Sequence, residues 1–284
     1  MKIKKLISAL VLGSMLVGLS GCNITDFSAE NLLRPPKAVG DEAEIEQLIA
    51  KTADSGYTLK YPKNGKFRSA IIMTDLDGND SNEAVAFFRN SAETSSVHML
   101  VMYSKDNSWK IASDNIFETT DIDSVDFADL TGNGKAEIIV NSTTYTPNVG
   151  KLSCYSYSEG KTNEVGSGQS CSSFVTGDFD NDGTSEIMSL VLYTTENEAL
   201  ASMLDYNEDS KSLYAKAMAN MDPNVVKYKN IAVTKLDNDI TGIVVDGTSA
   251  NEVTNTQVIF YSRDLAILRN PLFKEKAKNI TRRS

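Results

Sequence analysis

Histidine and tryptophan are almost absent from this chain: among its 284 residues, His98 is the only histidine and Trp109 the only tryptophan. The sequence also contains no nucleophile elbow, no zinc-binding helix motif and no phosphate-binding loop. His98 lies within the strand-like run SVHMLVMY, so we expect a hydrogen-bonded strand residue rather than a catalytic base. We expect Trp109, which follows a turn, to pack against the protein rather than to bind a ligand.

A run long enough to cross a membrane is missing too, because the apolar stretch at residues 6–19 falls short of the ~20 residues required. Lysines precede this stretch, and Leu-Ser-Gly-Cys ends it at Cys22. This is the layout of a bacterial secretory signal, and its ending resembles a lipobox, in which the cysteine is acylated and becomes the mature N-terminus. We therefore predict a lipoprotein signal peptide at residues 1–21 and lipidation of Cys22. A membrane-spanning anchor and an ordinary cleaved signal are the alternatives.

Positive charge is scarce: the chain contains 28 lysines and arginines but 38 aspartates and glutamates, which gives a formal net charge of -10 at pH 7. Nucleic-acid binding requires a basic surface, so this balance argues against a nucleic-acid partner. An anionic bilayer would repel the chain, so we expect only the lipid on Cys22 to hold it at the membrane. The predicted location is the outer, extracellular face of the cell membrane.

Cysteine is rare beyond Cys22, with only Cys154 and Cys171 remaining. Both fall in a segment that predicts a β-hairpin centred on residues 162 and 163. Outside the cytoplasm a disulfide between them is permitted, and two unpaired buried thiols are the alternative. Neither arrangement indicates catalysis.

The N-terminal part of the mature chain predicts a tether and a short helix. Residues 22–40 contain a Pro-Pro pair and no sustained periodicity, so we interpret them as a tether. The following segment, 41–56, predicts a helix that Asp41 caps. Its apolar stripe consists of Ile45, Leu48, Ile49 and Ala53. From Tyr57 onward short β-type runs replace the helical pattern, and 57–284 is predicted to be one repeat domain.

An acidic nine-residue segment occurs four times. The copies are DLDGNDSNE from Asp75, DLTGNGKAE from Asp129, DFDNDGTSE from Asp178, and the degenerate KLDNDITGI from Lys235. Their starts are separated by 54, 49 and 57 residues, and an apolar run follows each copy. We interpret each unit as an acidic loop followed by two strands, a tight turn and two further strands.

A second marker, a tyrosine that ends an apolar strand and opens a polar turn, keeps the same spacing. The four are Tyr103, Tyr157, Tyr206 and Tyr261. Because two independent markers agree, these are repeats, and a unit of about 50 residues with four strands is typical of a propeller blade. We predict an all-β fold: a β-propeller-like array of about four four-stranded blades with a short N-terminal helix. A β-sandwich is the alternative, but it does not predict a fixed period.

The acidic loops resemble those of FG-GAP/VCBS-type repeats, the calcium-loop blades of integrin α-subunit propellers and of many bacterial surface proteins. The resemblance covers 57–284. The segments LLRPPK and LKYPKNGKFRSA further resemble the N-termini of VCBS-repeat lipoproteins from Gram-positive anaerobes. The resemblance implies a fold and an extracellular, membrane-anchored location more than an activity.

The third copy, DFDNDGTSE, predicts a calcium loop. Such a loop needs hard oxygen donors arranged around a tight turn, and a glycine at the sixth position can adopt the left-handed conformation of that turn. The predicted ligands are Asp178, Asp180, Asp182, the carbonyl of Thr184, and Glu186. An acidic hairpin turn without an ion is the alternative, but close carboxylates repel one another and a bound cation relieves this.

The other copies are weaker candidates. The first offers Asp75, Asp77, Asn79 and Glu83, with Asp80 in place of the glycine, so Asp80 must adopt the turn conformation itself. The second offers Asp129, Thr131, Asn133 and Glu137, and with fewer charges its affinity should be poor. In the fourth, Lys235 and Ile243 replace the first and ninth ligands. There we expect the Lys235 ammonium to replace the ion and to pair with Asp237 or Asp239.

Two functions are compatible with these features. The first is a non-enzymatic, calcium-stabilised binding or scaffold lipoprotein that binds an envelope protein, a peptide or a glycan. The alternative is an extracellular carbohydrate-active enzyme or its accessory subunit, because a glycosidase needs only two suitably separated carboxylates. The conspicuous carboxylates already have a structural use in the loops, so we favour the first.

The spacing from each tyrosine to the next acidic loop predicts a fifth loop between residues 282 and 290, beyond the last residue, Ser284. We therefore expect four blades in an incomplete ring with an exposed strand edge around 262–284. A closed ring, with a strand near Tyr57 paired to one near Ile280, is the alternative that would leave no exposed edge.

Overall fold

The structure is a computed structural model that describes residues 40–54 and 56–271. The predicted signal peptide, Cys22, the tether before Gly40 and the segment after residue 271, which includes Ile280, lie outside the described residues. The chain divides into two units, Met1–Ala43 and Glu44–Ser284, and all four β-sheets belong to the second.

The one described α-helix, α1 (Asp41–Ala53), ends three residues before the predicted boundary. Its buried side chains are Ile45, Ile49 and Ala53. A spacing of four residues places these side chains on one face, which packs against the first sheet. Trp109 is buried in the same cluster, and its backbone N–H donates to the Glu44 carboxylate at 3.1 Å. The predictions of an apolar stripe and of a packed tryptophan are confirmed.

Seventeen strands form four antiparallel sheets in the described residues. The first sheet contains β1 (Tyr57–Leu59), β2 (Ile71–Thr74), β3 (Glu83–Asn90), β4 (Val97–Lys105) and β5 (Ser108–Phe117). The second contains β6 (Ile122–Ala128), β7 (Glu137–Thr143), β8 (Gly150–Ser158) and β9 (Lys161–Cys171). The third contains β10 (Ser173–Gly177), β11 (Glu186–Tyr193), β12 (Glu198–Asn207) and β13 (Ser212–Asn220). The fourth contains β14 (Val225–Asp237), β15 (Ile240–Ser249), β16 (Thr254–Ser262) and β17 (Ile267–Arg269).

Each sheet has four strand positions in sequence order. In the five-stranded first sheet, β1 and β2 share one position, because they pair with successive parts of β3. The predicted all-β array of four blades and one short helix is therefore confirmed. Each of the four tyrosine markers lies near the end of the third strand position of its sheet. No closed barrel forms within residues 56–271, which is consistent with an incomplete ring of blades.

The blade boundaries differ from the predicted repeat units by one strand. The predicted unit began at the acidic loop, whereas each loop lies inside a sheet, between its first two strands. The last strand of every predicted unit, such as β6, therefore pairs in the next sheet. Turn residues mark where the chain reverses, but they do not determine which neighbouring strand completes a sheet.

The core lies between consecutive sheets, and strand alternation explains why. In β7, Ile138 and Val140 pack with side chains of the first sheet, whereas Ile139 packs with side chains of the third. Successive side chains of a strand point to opposite faces, so a strand with a sheet on either side is apolar at every position. This accounts for the continuous apolar runs after the acidic loops.

The predicted hairpin that contains the two cysteines is shifted, and of the two arrangements left open by the sequence the structure has the unpaired buried thiols. The turn is formed by Glu159 and Gly160, both with positive φ, and not by residues 162 and 163. This register places Cys154 opposite Gly166 and Cys171 opposite Gly150, so the two cysteines are not cross-strand neighbours. Both thiols are free and buried. Burial raises the pKa of Cys154 above its ordinary value and that of Cys171 to about 12.

Candidate metal centre

Three acidic loops lie side by side at one end of the sheets. They are the first loop (75–82), the second loop (129–136) and the third loop (178–185). The Ala136 N–H donates to the carbonyl of Leu76 at 3.2 Å, which joins the second loop to the first. The Ser185 N–H donates to the carbonyl of Asp129 at 2.9 Å, which joins the third loop to the second. The repeats therefore form a continuous row of loops.

The first aspartate of each loop organises the turn in the same way. Asp178 accepts hydrogen bonds from the N–H groups of Asp182 and Gly183, each at 3.1 Å. Asp129 accepts from the residues four and five positions later at 3.1 and 2.7 Å. Asp75 accepts from the equivalent residues at 3.2 and 2.9 Å. The sequence repeat is thus a repeat of one hydrogen-bonded geometry.

The glutamate at the ninth position forms a hydrogen bond back to the start of each loop. Glu83, Glu137 and Glu186 are buried, and each accepts a hydrogen bond from the backbone N–H of the second residue of its loop, at 2.9, 2.8 and 2.8 Å respectively. This contact uses one carboxylate oxygen, Oε2, and directs the carboxylate toward the turn.

Each loop has left-handed backbone at two positions, whereas the sequence pattern predicted it only at the sixth. At the sixth position φ is +95° for Gly183 and +64° for Asp80, so Asp80 adopts the turn conformation as expected. At the fourth position φ is +74° for Gly78, +70° for Gly132 and +60° for Asn181. The available sequence signal was the glycine or asparagine at the fourth position of all three loops, the residue types that adopt this conformation most readily.

The third loop gathers four carboxylates. One oxygen each from Asp178, Asp180, Asp182 and Glu186 lies within 4.8 Å of the others. Glu186 is fully buried, yet its Oε1 has no hydrogen-bond partner in the described residues. Burial raises the pKa of Glu186 to about 8, the carboxylates of Asp180 and Asp182 add to the rise, and the Phe179 N–H opposes it. This donor set suits a hard divalent cation such as calcium.

Thr184, the remaining predicted ligand of the third loop, follows the left-handed glycine, and its N–H donates to Oδ1 of Asp182 at 2.8 Å.

The first loop brings together three carboxylates, those of Asp75, Asp77 and Glu83, again within 4.8 Å. Oδ1 of Asp77 is buried and has no partner in the described residues, whereas Oδ1 of Asn79 accepts the Ser81 N–H at 2.7 Å. The first loop is thus the second candidate for an ion.

The second loop brings together only two carboxylates, those of Asp129 and Glu137, and satisfies them internally. The Thr131 hydroxyl donates to Oε1 of Glu137 at 3.2 Å, so both oxygens of this glutamate are engaged. Oδ1 of Asn133 accepts the Lys135 N–H at 2.8 Å. The second loop therefore offers fewer free donor oxygens than the first and the third, and its poor affinity for an ion stays a prediction.

The fourth copy has lost the loop. β14 and β15 join through the two residues Asn238 and Asp239, and Asp237 pairs with Ile240. Lys235 pairs with Thr241 within the sheet, and no ion pair to Asp237 or Asp239 is present in the described part of the chain. The predicted replacement of the ion by the Lys235 ammonium is therefore wrong, because the shortened turn leaves no loop for it to enter.

Lys216 also belongs to this centre, although no sequence pattern predicted it. Its Nζ donates to Oδ2 of Asp180 and, at 2.7 Å, to Oδ2 of Asp205, and it lies 5.8 Å from the ring centroid of Tyr261. Burial alone would lower the pKa of Lys216, but the two carboxylates raise it above its ordinary value. Lys216 is in β13, far from the loop in sequence, and no local pattern identifies it.

Replacing the Lys216 ammonium should have two opposite effects: it should lower the stability of the ion-free protein and increase the stabilisation by added calcium. In excess chelator, Lys216→Met leaves the carboxylates of Asp180 and Asp205 without their cation, and we expect a loss of about 2 kcal/mol. Added calcium should then raise the melting temperature by more than in the wild type, because Asp180 is released and the competing charge is gone.

Thermal melts in calcium and in chelator measure both effects. The control is Lys211→Met, which removes the exposed 3.0 Å pair with Glu208 and should change little, because exposed pairs contribute ~0–1 kcal/mol. A calcium response in Lys216→Met that is no larger than in the wild type would contradict this assignment.

The only histidine lies away from these loops, in β4. His98 Nδ1 is 3.0 Å from both oxygens of Asp114, and its ring stacks on Phe88 with centroids 4.8 Å apart. Its Nε2 has no partner in the described residues. The predicted strand histidine is confirmed, with one of its two ring nitrogens paired to a carboxylate.

No protein-family model matches this chain, and no curated protein is detectably similar to it. Among residues 40–54 and 56–271, no helix combines the length and the apolarity that crossing a membrane requires.

Proposed function

We propose that this chain is a calcium-stabilised binding or scaffold protein of the FG-GAP/VCBS-repeat type, anchored by a lipid on Cys22 at the outer face of a Gram-positive cell membrane. The acidic loops and their resemblance to calcium-loop blades support the repeat type. The layout of residues 1–22 supports the anchor and the location.

The observation that carries the proposal is the unpartnered oxygen of Glu186 among three further carboxylates. A buried carboxylate oxygen without a donor is costly, and a cation is the partner that this donor set accommodates. Asp178, Asp180, Asp182 and Glu186 would hold the ion, together with the carbonyl of Thr184. A bound calcium would neutralise the repulsion within the loop and stabilise the row of loops that connects the sheets.

The ligating side chains also favour binding over catalysis. Asp178, Asp182 and Glu186 accept hydrogen bonds from their own loop, so these carboxylates act as turn-forming groups. A general acid or base must instead be free to exchange a proton with a substrate. We propose that the ion is structural and that an envelope protein, a peptide or a glycan binds elsewhere on the sheets.

The test combines a binding array with a turnover screen. Full-length protein in detergent is applied to glycans and purified envelope proteins, with calcium or with chelator, and the same glycans are assayed for hydrolysis. We expect stable binding to at least one envelope component without turnover. Asp178→Ala, assayed well below its melting temperature, should retain this binding if the ion is structural. Hydrolysis without stable binding would contradict the proposal and favour a carbohydrate-active enzyme.

A further inference from the structure

A cavity of about 1050 Å³ opens at the end of the sheets opposite to the acidic loops. The first residues of β6, β10 and β14 line it, and the same three strands end at the acidic loops or, for β14, at the shortened turn. The second, third and fourth sheets all contribute to its wall, for example through Asn141, Phe174 and Tyr228. Its volume suits a small ligand rather than a flat protein surface.

Two buried polar atoms in the cavity wall have no partner in the described residues: Oδ1 of Asn141 and the hydroxyl of Tyr228. The amide nitrogen of Asn141 donates to Asp123 at 3.3 Å, which orients the side chain. A Cβ at Gly150 would lie 2.3 Å from Oδ1 of Asn141, so glycine is what leaves room for this oxygen. Buried polar atoms are normally paired, and a ligand that supplies hydroxyl groups would satisfy both.

Both carboxylates of the wall already have partners within the protein. Asp121 pairs with Lys60 and, at 3.1 Å, with Lys63. Burial would raise the pKa of Asp121, but these two lysines lower it below its ordinary value, so it stays ionised. Asp123 accepts hydrogen bonds from Asn64 at 2.9 Å, as well as from Ser124 and Asn141. Asp121 is therefore compensated by two ammonium groups, whereas Asp123 is hydrogen-bonded by neutral groups.

The cavity wall also contains two exposed lysines, Lys227 and Lys229, on β14. Neither forms an ion pair with any residue that the structure describes. In a chain with a net charge of -10, two ammonium groups without an ion pair make the β14 side of this cavity locally attractive to anions. At its rim, Tyr145 is 96% exposed between the lining residues Thr144 and Thr146 and offers the face of its ring to solvent.

We propose that this cavity binds an anionic, hydroxyl-bearing ligand: a sugar acid or a sugar phosphate, free or at the end of a glycan. Lys227 and Lys229 bind the anionic group, ligand hydroxyls donate to Asn141 and exchange hydrogen bonds with Tyr228, and Tyr145 covers one ring face. The inference rests on the proposed binding function, but it requires neither the calcium ion nor the lipid.

Calorimetric titration of the calcium-loaded full-length protein in detergent tests this inference. Trigalacturonic acid and glucose 6-phosphate represent the two sources of the anionic group, maltotriose the neutral sugars, and a tetra-aspartate peptide the acidic peptides. We expect saturable binding of trigalacturonic acid, glucose 6-phosphate or both, weakened by high salt because the attraction is partly between exposed charges. Inorganic phosphate should bind at least about tenfold more weakly than a bound sugar phosphate, because it lacks the hydroxyl contacts.

Matched variants locate the binding. Lys227→Gln/Lys229→Gln should weaken it about tenfold or more, the loss expected for charge-assisted hydrogen bonds. The control, Lys161→Gln/Lys235→Gln, makes the same change in net charge at exposed residues that do not line the cavity, and it should bind as the wild type does. Equal weakening by both pairs, equal binding of maltotriose, binding of the peptide alone, or binding of no probe would each overturn the inference. The calcium response of the melting temperature is measured separately, so its failure is distinguishable from these outcomes.

Discussion

Chelation should lower the melting temperature of the full-length protein, and added calcium should restore it. An ion that binds only the folded state stabilises it by mass action, by about 2.7 kcal/mol at a hundredfold excess over the dissociation constant. For a domain of this size, that corresponds to a shift of about 5 to 10 °C. Scanning calorimetry in calcium and in chelator measures the shift directly.

Variants of the third loop should abolish most of this response. Asp178→Ala and Asp180→Ala each remove one of the four clustered carboxylates, whereas Asp237→Ala, in the shortened fourth turn, should barely alter it. For each variant, the quantity to compare is the difference between its melting temperature in calcium and its melting temperature in chelator. Asp178→Ala also removes loop hydrogen bonds, so it lowers stability even without calcium.

Asp129→Ala controls for that loss, because Asp129 accepts the two equivalent hydrogen bonds in the second loop. It should lower both melting temperatures and leave most of the calcium response in place. An identical melting curve in calcium and in excess chelator for the wild type would eliminate the metal centre.

The second large effect concerns the anchor. Wild-type protein should stay with the membrane fraction after a high-salt wash, since an acyl chain is held by the hydrophobic effect, which salt does not screen. Cys22→Ser should appear in the soluble fraction and should not incorporate labelled fatty acid. Fractionation of the producing cells, followed by detection of the protein and of the label, measures both.

The matched control for the anchor is Cys154→Ser/Cys171→Ser, which removes the two buried thiols. It should remain in the membrane fraction and carry label, whatever its effect on stability. Retention of Cys22→Ser in the salt-washed membrane would mean that the anchor is something other than an acylated cysteine.

Local features explain why so much of the fold was predictable. The hydrogen bonds that form each acidic loop run between residues at most seven positions apart, for example from the Phe179 N–H to Glu186. Turn residues, the left-handed sixth position and the apolar runs after each loop are likewise local, so the count of four blades followed from spacing alone. The helix was predicted for the same reason, since Ile45, Ile49 and Ala53 lie on one face.

Register was less predictable, because it depends on which residues form the turn and on bulges in the strands. In the hairpin of β8 and β9, a turn at Glu159 and Gly160 and two register shifts separate Cys154 from Cys171. The sequence around this hairpin is rich in serine and glycine and allows several alignments, and only pairing with neighbouring strands selects one. The same dependence on neighbours moved each blade boundary by one strand.

By itself, the sequence determined the all-β class, the four repeats and the carboxylates of the third loop, because each depends on residues close together in the chain. Only the tertiary structure decided that Lys216 contacts Asp180 and that Asn141, Tyr228 and Lys229 share one cavity. These groups meet because sheets pack face to face, and that packing joins residues separated by dozens of positions. Local sequence patterns do not predict such contacts. Many apolar residues can fill a buried position, so the pattern shows that a position is buried but not which distant residue it contacts.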